Sequence, residues 1–96
     1  MTDAIDIANH PERNQYEMTS GGKLAALISY QRAGDRIDMQ HTKVMPEHEG
    51  TGLGSQLASF ALDDVRQQGH KVVATCSFVQ SFIERHPQYQ DLLDKA

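Results

Sequence analysis

The chain has 96 residues, 9 Lys and Arg against 13 Asp and Glu, and a formal net charge of -4. That length supports a single hydrophobic core, and an acidic balance with no Lys/Arg cluster argues against broad binding of nucleic acid or anionic membranes while favouring a positively charged acceptor. One cysteine can form no internal disulfide, Asp3 and Asp6 interrupt any signal-peptide pattern, and no later segment reaches membrane-spanning length, so a cytoplasmic protein is expected.

In chain order, residues 1–12 are polar, contain His10-Pro11 and show no period, and are expected to form a loose arm ahead of one domain over 13–96. Arg13–Ser20 and Lys23–Arg32 read as antiparallel strands joined at Gly21-Gly22, a dipeptide that reaches the positive φ of a tight hairpin. After a turn at Ala33-Gly34-Asp35, Ile37 and Met39 alternate with Asp38 and Gln40, which predicts a third strand over Arg36–Val44 and a three-stranded meander. His41 continues the series of Ile37 and Met39 and is expected to face the covered side of the sheet. Two roles are open to it there: a hydrogen-bonded core histidine or a catalytic base.

Glu49-Gly50-Thr51-Gly52-Leu53-Gly54 then places three alternate glycines between that strand and a helix. Glycine lets backbone approach a ligand closely, and the first N–H groups of the helix have no internal partner, so the segment suits an anion such as phosphate. The plainer reading is a glycine-rich connection. Over Gly52–Gln68, Leu53, Leu57, Phe60, Ala61 and Val65 recur at helical spacing, and Gly69 supplies the stop. Lys71–Thr75 is a short β-branched strand, so the helix is a crossover to a parallel neighbour and the glycine loop lies at a strand's carboxyl end.

Ser77-Phe78-Val79-Gln80 has the form of a capping box, and Phe78, Val79, Phe82 and Ile83 give the second helix an apolar side that ends by Pro87. Cys76 precedes it and faces the positive end of a helix dipole, which favours the thiolate. A nucleophile and a small buried hydrophobe are both open readings of this residue. Phe78 is the aromatic residue expected nearest a ligand, whereas Phe82 and Tyr89 fit the core. The five histidines lack metal-ligand spacing, and no metal is assigned.

The glycine segment fails three better-known signatures. Gly54 is followed by Ser55-Gln56 rather than Lys-Ser/Thr, the glycine spacing differs from the dinucleotide fingerprint, and a kinase loop needs a larger protein. It does resemble the acyl-CoA loop of the GNAT N-acetyltransferases, as do His41-Thr42-Lys43-Val44-Met45-Pro46, Val72-Val73-Ala74-Thr75-Cys76-Ser77-Phe78 and Arg85-His86-Pro87-Gln88-Tyr89. The chain is thereby similar to the small single-domain branch of that family over residues 13–93. Glu49 departs from the Gln or Arg usual in larger relatives.

The resemblance implies an α/β GNAT-like fold, acetyl-CoA or CoA as cosubstrate, and a cofactor site of Val44, Gly50, Thr51, Gly52, Leu53, Gly54, Ser55 and Phe78. It also implies acyl transfer to an amine, with Cys76 as the acyl acceptor or with His41 or a water as base for direct attack. A non-catalytic CoA-binding or protein-interaction module is the alternative, because the chain has little length with which to wall an acceptor site.

Overall fold

The computed structural model describes residues 4–94. Strands β1 (Ile5–His10), β2 (Gln15–Ser20), β3 (Lys23–Ala33) and β4 (Arg36–Val44) run antiparallel in sequence order. A 3-10 turn over Pro46–His48 leads to helix α1 (Leu53–Gln67), which crosses to β5 (Lys71–Ala74), parallel to β4. Helix α2 (Ser77–Arg85) and a second 3-10 segment (Pro87–Leu92) follow, and Asp94 N–H donates to the Val72 carbonyl at 2.9 Å on the β5 edge.

The alternation of the strands and the helical stripes meet in one core. Met18, Ile28, Met39, Leu57, Leu62, Val65 and Phe82 are almost wholly buried there, each apolar side chain stabilising the fold by about 1.5–3 kcal/mol. Phe60, expected in the α1 stripe, lies at its edge: it is 37% exposed and meets Tyr16 edge-on at 6.3 Å. Tyr89 is buried, donating to Asp63 at 2.9 Å and lying 3.0 Å from the Ser59 hydroxyl, so it ties the C-terminal segment to α1.

Two expectations are corrected here. The loose arm is a strand over Ile5–His10, paired with β2 along its whole length; residues 1–3 lie outside the described residues. Its period was visible, since Ile5 and Ile7 flank Asp6, but as an edge strand it contributes only Ile7 to the core and so looks polar. The meander therefore has four strands.

The second correction concerns His41. Pairing between β3 and β4 passes from Tyr30 opposite Met39 to Ser29 opposite His41, so Gln40 is an extra residue. Such a bulge reverses the faces of everything beyond it. His41 is accordingly exposed on the face away from Ile37 and Met39, while Thr42 and Val44 turn toward the helices.

Candidate active site

The glycine segment forms a shallow groove of about 190 Å³, lined by Val44, His48, Glu49, Gly50, Gly52, Leu53, Gly54, Ser55 and Phe78. Gly50 and Gly52 have φ of 78° and 81°, values that side chains resist, and Gly52 is the N-cap of α1. Having no side chain, Gly52 cannot cap the helix, whose first bond runs from Gln56 N–H to the Gly52 carbonyl at 3.2 Å. The N–H groups of Leu53, Gly54 and Ser55 have no partner among the described residues. With no acidic residue in the first turn, this positive helix end fits a pyrophosphate.

Thr51 is the expected site residue that the structure removes from the groove. Its N–H and its hydroxyl both donate to the His48 carbonyl, because that 3-10 turn needs closing before the helix begins. His48 and Glu49 take part in its place; only the helix stop of the preceding strand signalled them.

Gly54 has a packing role as well. A Cβ there would stand 3.1 Å from Phe78 Cζ and 3.3 Å from Val44 Cγ2. The missing side chain lets β4, α1 and α2 converge, which makes Phe78 a wall of the groove.

Beyond Met39 and Ala74 the parallel pairing of β4 with β5 ends, and the strands part. Cys76 sits in this opening, half-buried, with its N–H on the Met39 carbonyl at 2.9 Å and its thiol donating to Thr42 Oγ1 at 3.4 Å. It is itself the N-cap of α2. Ser77 is the first helical residue, and the Gln80 side chain donates to the Ala74 carbonyl at 2.7 Å, so the expected capping box does not form. Burial pushes the Cys76 thiol up, but the Thr42 hydroxyl and the backbone groups of Val79, Phe78 and Thr42 together bring it below the ordinary thiol range. Thr42 was within the quoted segments, yet only the Gln40 bulge turns it to the sulfur. His41, its neighbour, points to the opposite face.

A four-stranded antiparallel meander, a crossover helix opened by a glycine turn, and a parallel strand that splays from β4 together define the acyl-CoA N-acyltransferase fold. Residues 15–92 match the GCN5-related N-acetyl-transferase family, and the chain belongs to that family. It is 37% identical over 90 residues to Protein NATD1 of Homo sapiens, covering 92% of this chain and 80% of that protein. Among solved structures it is similar to a GCN5-like protein from Staphylococcus aureus, at TM-score 0.72 and 26% identity, covering 95% of this chain and 89% of the other. It also shares its fold with a Bacillus subtilis acetyltransferase in complex with CoA, at TM-score 0.60 and 16% identity, covering 86% and 74%.

Proposed function

We propose that the chain transfers an acetyl group from acetyl-CoA to an amine by way of an acetylated Cys76. The observation that carries this is one juxtaposition: Phe78, which walls the glycine groove, is two residues from the Cys76 thiol that Thr42 holds in the opening between β4 and β5. The N–H groups of Leu53, Gly54 and Ser55 bind the pyrophosphate, and Val44 and Phe78 guide the thioester toward the sulfur. The Cys76 thiolate attacks the thioester carbonyl, forming the new S–C bond as CoA leaves as a thiolate and takes a proton from solvent. An amine then attacks the acetylated cysteine, the Cys76 thiolate leaves, and the amine's proton passes to water. A free thiol and a CoA thioester suit a reducing compartment such as the cytoplasm.

Direct attack without the acetyl-cysteine is the second reading. It would use His41 as base only for an acceptor approaching the sheet face on which His41 is exposed. A panel of amines and proteins incubated with labelled acetyl-CoA separates transfer from mere binding. Turnover supports the enzyme; saturable binding with no labelled product supports the CoA-binding module.

Both readings require CoA in the groove. CoA and acetyl-CoA raise the melting temperature, by roughly 2–3 kcal/mol of added stability at a hundredfold excess over the dissociation constant, whereas NAD and ATP do not. A melting curve unmoved by millimolar acetyl-CoA rules out both.

Glu49 is exposed on the groove rim. Exchanging this carboxylate for guanidinium removes a repulsion and adds a charge-assisted donor. Glu49→Arg therefore strengthens CoA binding about threefold to tenfold by calorimetry, an exposed ion pair being worth little more. Equal or weaker affinity would mean that the pyrophosphate does not pass Glu49.

A further inference from the structure

A second cavity, of about 330 Å³, lies where the last turn of α1 meets the β1–β2 turn and the adjoining ends of β3 and β4. It shares no lining residue with the glycine groove, and its size is that of a small-molecule site. Its polar walls are Asn9, Tyr16, Tyr30, Asp64 and His70, with Arg32 at the rim.

The hydrogen bonds among these groups decide what the cavity accepts. Tyr16 donates its proton to Asp64 Oδ2 at 2.7 Å, and Tyr30 donates to Asn9 Oδ1 at 2.6 Å. With both phenolic protons directed into the protein, each tyrosine oxygen offers lone pairs only. Burial, then Asp64, raises the Tyr16 pKa, so it remains a neutral phenol. Asp64 adds a carboxylate, and the end of α1 adds the negative pole of a helix dipole. His70 Nδ1 is buried and has no hydrogen-bond partner among the described residues, a state that costs about 1–3 kcal/mol when uncompensated. Acceptors and negative charge thus dominate. Arg32 opposes them, but it is exposed and its Nε donates to the Gly34 carbonyl at 3.0 Å.

We propose that this cavity binds an alkylammonium group, whose N–H donors meet Asp64, the tyrosine oxygens and His70 Nδ1 while its methylenes lie against the rings of Tyr16 and Tyr30. The inference stands on this cavity alone and does not depend on the acetyl-transfer reading. A free amine and a protein lysine carry the same chemistry, and the test separates them.

Amide spectra of the 15N-labelled full chain are recorded during titration with n-propylammonium chloride, sodium propionate, and a tripeptide carrying a central lysine. Propylammonium shifts the Asn9, Tyr16, Asp64 and His70 signals saturably, and propionate leaves them in place. Asp64→Asn, which keeps the shape and the Tyr16 acceptor, weakens binding about tenfold, as expected for loss of a paired charge. Arg32→Gln strengthens it about threefold by removing the opposing charge, a gain that a purely structural role for Arg32 would not give. Tighter binding of the lysine tripeptide than of propylammonium assigns the site to a protein side chain, and the reverse order assigns it to a free amine. Absent or non-saturating shifts, equal shifts from propionate, or an unchanged affinity in Asp64→Asn would overturn the proposal. If Asp64→Asn loses its folded spectrum, Arg32→Gln decides: unchanged or weaker binding overturns it.

Discussion

Acetyl-CoA added to the purified protein leaves one acetyl group on Cys76, seen as a single added acetyl mass on the intact chain and absent in Cys76→Ala. The sulfur has what this step needs: partial access, a hydroxyl donor partner at Thr42, and backbone groups of α2 that favour its thiolate. Alkylation by iodoacetamide accordingly titrates below the roughly 8.5 of a free thiol, and bound CoA slows it. Below that lowered pKa the thiol is protonated and both reactions fade; above it they reach a plateau. Cys76→Ala lowers acetyl transfer by about a hundredfold or more if the acetyl-cysteine lies on the path. Cys76→Ser separates the routes, since direct attack needs no thiolate and keeps most of its rate. A Cys76 inert to both reagents in the folded chain ends the nucleophile assignment and leaves CoA binding untouched.

Gly52→Val and Gly54→Val differ in kind, although the sequence presents them as equivalent members of one motif. Around Gly52 there is open space, but its φ of 81° resists a side chain, so valine strains the backbone by about 1–2 kcal/mol and intrudes where the pyrophosphate approaches. Gly52→Val loses CoA affinity by about a hundredfold or more while still melting cooperatively. Gly54 has ordinary helical backbone but no room, with Phe78 and Val44 at 3.1 and 3.3 Å from the missing Cβ. Its valine overpacks the junction of three elements, at about 1–3 kcal/mol, and lowers the melting temperature by roughly 4–8 °C for each kcal/mol. Calorimetry and thermal melting on the two variants check the distinction. A Gly54→Val protein as stable as the parent, or a Gly52→Val protein with full affinity, contradicts it.

The elements with strong local signals were legible from residues alone. Arg36–Val44 matches β4 at both ends, Gly21-Gly22 turns the hairpin, and Gly69 follows α1, because alternation, helical spacing and positive φ are properties of a few adjacent residues. The glycine loop before α1 was legible for the same reason, as was the parallel return of β5, since a strand, helix and strand in succession leave few topologies. Ile5 and Ile7 carried a strand signal too short to stand against the polar residues around it, and only pairing with β2 makes β1. Tertiary structure alone decided the orientation of His41 and Thr42, because the Gln40 bulge arises from the match between β3 and β4 rather than from residues near it. It likewise decided that Cys76, not Ser77, caps α2, that Gly54 is glycine for packing, and that Asn9, Tyr16, Tyr30, Asp64 and His70 surround one cavity. Each of these depends on groups brought together from distant parts of the chain, and a local pattern contains no information about such distances.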